Sequence, residues 1–176
     1  MRKSNFLPFL LILLVFAISC NEGSEDEQPD LPGTSTITVS GAESGTINTN
    51  GAEFTYTVSS VSGGEFSDIT IYMGNYGTTE TALQVKINEL NNTSGFDKGT
   101  YNYDAGSTTF FLTSVYVTDN NSYLISPGTD LTNKLTLTSI ASNRVKGSFE
   151  VNLESFDGDK VKLTGSFEAE GETFTY

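Results

Sequence analysis

The chain has 176 residues, 36% of them apolar, and this length suits one domain with a sizeable hydrophobic core. Its 22 acidic side chains outnumber nine basic ones, and the net charge of -13 argues against nucleic acid as a partner. The sequence has no histidine, which excludes hydrolases with a histidine base and metal sites built on imidazole.

Residues 1–19 have the three parts of a secretory signal peptide. Arg2 and Lys3 form a basic start, residues 6–18 are an apolar run, and Ser19 is a small residue directly after that run. The run is shorter than the roughly 20 residues that a helix needs to cross a bilayer. We therefore expect a signal peptide that is removed, rather than a membrane-spanning helix.

Cys20, the only cysteine in the sequence, follows this segment directly. Ala17, Ile18, Ser19 and Cys20 resemble the lipobox of bacterial lipoproteins, with alanine in place of the usual leucine. The resemblance implies that Cys20 is diacylated and becomes the mature N-terminus, so that its lipid attaches the protein to the membrane. The alternative is an ordinary signal peptide, cleaved nearby, which leaves Cys20 as an unpaired thiol.

Residues 20–33 predict a flexible acidic tether, because they hold five carboxylates, two prolines and almost no apolar side chains. Four of them resemble the serine-plus-acidic export signal of surface-exposed lipoproteins in Bacteroidota: Ser24, Glu25, Asp26 and Glu27. The resemblance implies that the domain is displayed at the cell surface. The alternative is a solvated spacer on a domain that faces the periplasm.

Residues 34–176 predict a single all-β domain, because apolar and polar residues alternate and Gly, Asn and Asp interrupt the alternation. The predicted strands are 36–40, 53–60, 69–73, 82–90, 99–103, 108–118, 123–125, 134–139, 145–154, 160–169 and 173–176. We expect an antiparallel β-sandwich of about ten strands, and a closed or partly closed β-barrel is the alternative.

The predicted strand 108–118 differs from the others because it is apolar on both faces. Its apolar side chains fall into two sets, Phe110, Leu112 and Tyr116 against Phe111, Val115 and Val117. A strand of this kind is expected in the middle of a fold, with both faces covered.

The tetrapeptide Gly-Ser-Phe-Glu occurs at 147–150 and again at 165–168, in two strands that predict one hairpin. A three-residue loop at 156–158, with a left-handed Gly158, sets Phe149 opposite Gly165 and Gly147 opposite Phe167. Each phenylalanine ring then covers a glycine on the partner strand, which fixes the register. The repeat is therefore interpreted as architecture rather than as a binding motif.

The same register places opposite charges on the outer face of this hairpin. Glu154 lies opposite Lys160, and Lys146 lies opposite Glu168. One strand earlier, a five-residue loop at 140–144 sets Leu137 opposite Gly147, Leu135 opposite Phe149 and Lys134 opposite Glu150. Three consecutive strands are thus expected to form a meander.

Residues 99–176 carry a resemblance to a known family. The stretches GTYNYDAGSTTFFLTSVYV and KLTLTSIASNRVKGSFEVNLESFDGDKVKLTGSFEAEGETFTY are similar to a family of all-β lipoprotein domains in Bacteroidota, which end in a hairpin of GTF- or GSF-bearing strands. The resemblance implies a lipid-anchored all-β domain. It implies no particular activity, so no site residues follow from it.

Chemical catalysis in a chain without histidine depends on carboxylates, tyrosines and lysines. The alternation places four glutamates on the solvent face rather than in a glycosidase-like pair: Glu150, Glu154, Glu168 and Glu170. Asp157, Asp159 and residues 119–121 offer oxygen ligands of the kind that calcium takes, but these are also ordinary turn residues. We expect no catalytic residue, no metal site and no cofactor.

Tyr101 and Tyr103 fall on one face of a short predicted strand and are the candidate ligand platform, for a glycan or a peptide. Tyr72, Tyr76 and Tyr123 are further aromatic residues whose positions relative to this pair are open. The alternative is that these tyrosines lie at sheet edges with their hydroxyl groups in water.

Two functions remain in view. The first is a lipid-anchored outer-membrane protein with a non-enzymatic binding domain, for a glycan, a small ligand or another envelope protein. It predicts an exposed groove or apolar patch without convergent carboxylates. The second is a structural or accessory subunit of an envelope assembly, which predicts apolar edges without a pocket.

Overall fold

The computed structural model describes residues 33–61, 64–74, 82–118, 121–125 and 132–176, which form eleven strands and no helix. Cys20 and the segment 24–27 lie outside the described residues, as does Tyr76. No helix that is long and apolar enough to cross a membrane occurs in the described ranges. The strands are β1 (Gly33–Gly41), β2 (Gly45–Thr49), β3 (Ala52–Ser59), β4 (Phe66–Gly74), β5 (Ala82–Leu90), β6 (Gly99–Asn102), β7 (Phe110–Val117), β8 (Ser122–Leu124), β9 (Lys134–Ala141), β10 (Arg144–Ser155) and β11 (Lys160–Thr175).

The predicted all-β fold is confirmed, and its strands form two layers joined into one hydrogen-bonded sheet. One layer runs β2-β1-β11-β10-β9-β6, and the other runs β11-β3-β4-β5-β7-β8. β11 belongs to both, because its first part pairs with β1 and β10 and its last part pairs with β3. At the opposite corner the end of β10 pairs with β8, so the pairings return to their start as a ring.

One pairing departs from the predicted antiparallel arrangement. β3 and β11 run parallel, with Glu53 opposite Glu170 and Val58 opposite Thr175. β11 is a single strand of 16 residues where the sequence predicted two strands, 160–169 and 173–176. Gly171 instead allows a close approach of backbones, because a Cβ there would collide with the carbonyl of Phe54.

The core lies between the two layers and follows the predicted alternation. Ile37 and Leu163 come from one layer, Phe54, Ile71 and Val85 come from the other, and all five are fully buried. Burial of each such side chain contributes roughly 1.5–3 kcal/mol. β2 was not predicted, because in its sequence GTINT only Ile47 is apolar, and that side chain is half-buried.

The predicted register of the β10–β11 hairpin is confirmed at every pair. Phe149 lies opposite Gly165, Gly147 lies opposite Phe167, and Glu154 lies opposite Lys160. A Cβ built on Gly165 would lie 2.7 Å from Cζ of Phe149, so the ring does cover the glycine. The loop is the predicted one, with Gly158 at a φ of 87°.

The β9–β10 connection is shorter than the predicted five-residue loop, and that prediction is wrong. Arg144 pairs with Ala141, so only residues 142–143 form the turn. The predicted pairs of Gly147 with Leu137 and Phe149 with Leu135 are nevertheless present. A β-bulge at Thr138 places one extra residue in β9 and reconciles the short turn with this register.

β7 lies between β5 and β8 but is covered on one face only, so the expectation of two buried faces is wrong. Leu112 and Tyr116 are buried, whereas Phe111 and Val117 are 41% and 38% exposed. The second face of β7 points away from the single core, and no second layer of described residues covers it.

Candidate functional site

The candidate tyrosines lie at the end of the first layer, on and after the edge strand β6. Tyr101 is half-buried, with its ring 5.2 Å from that of Phe96 and 6.2 Å from that of Phe110, measured between centroids. Its hydroxyl donates a hydrogen bond to the carbonyl of Asp97 at 2.7 Å. Burial raises the pKa of Tyr101, and the nearby carboxylate of Asp97 adds to this increase.

The other tyrosines lie at several places in the fold. Tyr103 is half-buried and lines a groove described below. Tyr123 is 1% exposed, in the core, and Tyr72 lies on β4. The ligand platform of Tyr101 and Tyr103 stays a prediction. Of these two tyrosines, Tyr103 is the one that lines the groove.

The predicted solvent-facing glutamates form a network of ion pairs on β9, β10 and β11. Glu150 lies 2.6 Å from Nζ of Lys162 and 3.0 Å from Nζ of Lys134. Hydrogen bonds from these two lysines lower the pKa of Glu150. We call this network the charge ladder, and its members are Lys134, Arg144, Lys146, Glu150, Glu154, Lys160, Lys162, Glu168 and Glu170.

The charge ladder does not resemble a pair of catalytic carboxylates. Lys146 lies 2.8 Å from Glu168, Arg144 lies 2.6 Å from the same carboxylate, and Arg144 also pairs with Glu170. The hydrogen bond from Lys146 lowers the pKa of Glu168, which favours the ionised form of this carboxylate. The glutamates therefore stabilise the outer face of the layer.

An exposed apolar surface lies on the outer side of β7 and β8. Val115 lies opposite Leu124, and Val117 lies opposite Ser122 in the antiparallel pairing. Leu124 is 36% exposed, in addition to the exposed Phe111 and Val117. We call Phe111, Val115, Val117 and Leu124 the β7–β8 apolar face. On this face the exposed Thr113 separates Phe111 from Val115 along β7. Exposed apolar surface that is rimmed by polar residues marks sites of interaction.

A groove of about 390 Å³ adjoins this face. Phe111, Val115 and Leu124 contribute to its lining, together with Tyr103 and Asp104 from the segment that follows β6. This volume is in the range of ligand-binding pockets, roughly 300–1,000 Å³. The lining is mostly apolar, and Asp104 is the only charged residue among the described residues that form it.

The inner side of the same strands is fixed by a buried polar cluster. The hydroxyl of Tyr123 donates a hydrogen bond to Oε1 of Glu43 at 2.8 Å, and the rings of Tyr116 and Tyr123 lie 5.8 Å apart. Burial raises the pKa of Tyr116 to about 12, and the charge of Glu43 contributes. Glu43 is on the β1–β2 connection, so this cluster links the first layer to β7 and β8.

A second groove, of about 370 Å³, lies between β3 and the end of β11. Glu53, Glu170, Glu172 and Phe174 contribute to its lining. Among the described ranges no group of three or more carboxylate or thiol side chains is arranged to hold a metal ion. Asp157 and Asp159 lie on the exposed β10–β11 turn.

Sequence reasoning missed the apolar groove, although the signal for its outer wall was present. The double apolar pattern of 108–118 contains the buried residues as well as the exposed Phe111 and the half-buried Val115. The other wall is formed by residues 103–107, which have no periodic pattern that predicts their contact with β7. Comparison of the chain with protein-family models, with curated proteins and with solved structures found no match.

Proposed function

We propose that this protein is a lipoprotein, anchored in the outer membrane through a lipid on Cys20 and exposed at the cell surface. Its all-β domain is a binding module rather than an enzyme. The observation that carries the binding function is the apolar groove beside the β7–β8 apolar face. An exposed apolar surface lowers solubility, so its presence beside a pocket favours a role in recognition.

The sequence supports the anchoring part of the proposal. A basic start, an apolar run and a small residue precede the single cysteine, and an acidic segment of low apolar content follows it. The described structure starts with β1 at Gly33, where this acidic segment ends. Such an arrangement separates a folded domain from its anchor by at most about 45 Å, at roughly 3.5 Å per extended residue.

The alternative, a structural subunit of an envelope assembly, draws support from the two terminal strands. β2 and β6 each pair on one side only in the described residues. That alternative predicts no pocket, however, and the groove therefore favours the binding module.

The anchor is tested with Cys20→Ala and the neighbouring control Asn21→Ala, expressed in cells that process lipoproteins. We expect a clickable fatty acid to label the unmodified protein and the control, and both to sediment with membranes. Cys20→Ala is expected to be unlabelled. An unlabelled parent protein would contradict lipid anchoring.

Surface exposure is tested by adding protease to intact cells. We expect the parent protein to be digested. A variant with Ser24, Glu25, Asp26 and Glu27 all changed to alanine is expected to keep its lipid label but to resist digestion. Asp30→Ala, which removes a charge outside the export-like segment, is the control. Protection of the parent protein would place the domain on the periplasmic side.

Binding is tested by affinity capture with the intact lipoprotein from its own membranes, alongside a glycan array. Phe111→Ser is the loss-of-binding variant. Phe156→Ser is the matched control, because Phe156 is 89% exposed but lies on the β10–β11 turn, outside the groove lining. A partner or glycan that both variants retain would count against the groove as the binding site. So would the recovery of no partner and no glycan with the parent protein.

A further inference from the structure

We infer that the groove and the β7–β8 apolar face bind an extended polypeptide segment of a partner protein, in which an apolar side chain lies next to a lysine or arginine. This inference rests on the proposed binding function and names the chemistry of its partner. It is carried by the size of the apolar surface, by the charge of the groove and by the way the cations of the domain are distributed.

The size of the surface favours a polypeptide over a small molecule. Phe111 and Val117 are six residues apart on one strand, which corresponds to about 20 Å at roughly 3.3 Å per residue. An extended segment of about six residues has the same length. Leu124, beside Val115 on the neighbouring strand, widens the surface so that alternate side chains of a bound segment contact apolar atoms.

The charge of the groove favours a basic partner. Asp104 is exposed at the groove and has no ion-pair partner in the described part of the chain. Its Oδ1 accepts a hydrogen bond from the amide of Gly106 at 2.9 Å, which fixes the carboxylate at the rim. Among the described residues, no lysine or arginine lines the groove. A cation on the partner therefore gains an attraction that an anion does not.

The distribution of cations strengthens this point. The described lysines and arginines that form ion pairs lie on the charge ladder, apart from Lys86, which lies 2.5 Å from Asp68. Lys98 is exposed and forms no ion pair within the described residues, but it does not line the groove. The whole chain carries a net charge of -13, so it attracts positively charged partners over a distance of several ångströms. The same charge disfavours a second copy of this chain as the occupant.

A glycan fits the groove less well than an apolar side chain. Sugar recognition depends on several convergent hydrogen-bonding groups beside an aromatic ring. Among the described residues of this groove Asp104 is the acidic group and Tyr103, Ser107 and Thr113 offer hydroxyl groups, but most of the exposed lining is apolar, with Phe110, Phe111, Leu112 and Val115 among its residues. An aliphatic or aromatic side chain of a partner is the better match to such a lining.

The test uses a displayed library of random seven-residue peptides, selected on the full-length protein in detergent. We expect the enriched peptides to combine an aliphatic or aromatic residue with lysine or arginine and to be depleted of acidic residues. A synthetic peptide of the enriched sequence is expected to bind Phe111→Ser at least about tenfold more weakly than the parent protein. Phe156→Ser is expected to bind as the parent does.

The charge contribution is separated with Asp104→Asn, which keeps the hydrogen-bond acceptor for Gly106. We expect this variant to bind the lysine-containing peptide more weakly than the parent protein does. A peptide in which norleucine replaces lysine is expected to bind the variant and the parent protein equally well. Equal loss for both peptides would mean that Asp104 acts on the shape of the loop, and would overturn the charge argument.

Three outcomes would overturn the inference as a whole. The first is that acidic peptides are enriched, or that no peptide is enriched at all. The second is that Phe111→Ser binds the peptide as well as the parent protein does. The third is that the parent protein self-associates in sedimentation and that Phe111→Ser abolishes this association. Binding of a glycan in the groove, without any peptide, would remove the inference and leave the proposed binding function intact. Failure of peptides, glycans and captured proteins together would remove both.

Discussion

The β10–β11 hairpin and the β7–β8 pair are built on the same alternation but differ in what their outer faces present. In β10–β11, glutamates and lysines alternate with core residues and neutralise one another across the strands. In β7–β8, valine, leucine and phenylalanine occupy most of the equivalent outward positions, with Thr113 and Ser122 as the polar exceptions. The first pair satisfies its own polar groups, whereas the second leaves apolar atoms in contact with water.

This difference indicates which surface is available for a partner. The ion pairs of the charge ladder are made within the domain, so a second protein would have to break them in order to bind there. The β7–β8 apolar face has no described neighbour to displace, and covering it removes apolar area from water at roughly 25 cal/mol per Å². Recognition is therefore expected at β7–β8, and stability is expected to depend on β10–β11.

The largest effect is expected from Gly165→Val in the β10–β11 hairpin. The new side chain would collide with the Thr36 carbonyl and lie 2.7 Å or less from the Phe149 ring, so we expect a loss of about 3 kcal/mol in unfolding free energy. Gly99→Val is the control, because a Cβ at Gly99 meets no atom within 4 Å. Denaturant unfolding measures both, and equal losses would contradict the packing argument.

A smaller effect is expected from alkaline pH, which acts on the inner side of β7–β8. The pKa of Tyr116 is raised to about 12, chiefly by burial, so its contribution to stability is complete below pH 10 and is lost as pH rises from 10 to 12. We expect a loss of roughly 1–2 kcal/mol across this window after allowance for solvent. Tyr116→Phe should flatten this part of the pH profile, and the exposed control Tyr176→Phe should not. Identical profiles would show that Tyr116 is not responsible.

A smaller effect still is expected from acid, which acts on the charge ladder. The pKa values of Glu150 and Glu168 are lowered by hydrogen bonds from Lys162 and Lys146, so their contribution is present above the ordinary value of 4.5 and is lost as pH falls below it. Glu150→Gln should reduce this acid-dependent loss, as should 1 M salt by screening. Thermal melting from pH 6 to pH 3 tests this, and an unchanged slope would argue against the ladder.

The smallest effect on stability is expected from Phe111→Ser on the β7–β8 apolar face. The side chain is 41% exposed, so we expect a change within about 0.5 kcal/mol in unfolding free energy, similar to that of Phe156→Ser. A large loss in Phe111→Ser alone would show that this face is structural. The comparison between the two strand pairs would then no longer hold.

The two pairs also differ in how far the sequence predicts them. The register of β10–β11 follows from three independent signals that agree, namely the turn at Gly158, the glycine–phenylalanine pairs and the opposite charges. The outer face of β7 carries a single signal, apolar side chains on both faces, which is compatible with a buried strand and with an exposed binding face. Only the number of layers that cover the strand distinguishes these two, and that number is a property of the whole fold.

Other features depend on contacts between distant segments. The parallel pairing of β3 with β11 has no counterpart in the periodic pattern of the sequence. The bulge at Thr138 is set by competition between a tight turn and the packing of Leu137. The groove brings residues 103–107, 110–115 and 124–125 together through the sheet order. Cys20 and the segment 24–27 remain predictions of the sequence alone.

β11 also determines when this domain can form. It pairs with β1, β10 and β3, so each layer lacks a strand until Lys160–Thr175 has been synthesised. Pairing of Glu53 with Glu170 closes a very long loop, and contacts of this kind form slowly. Neither layer is therefore complete until this last strand has been synthesised and has paired with both of them.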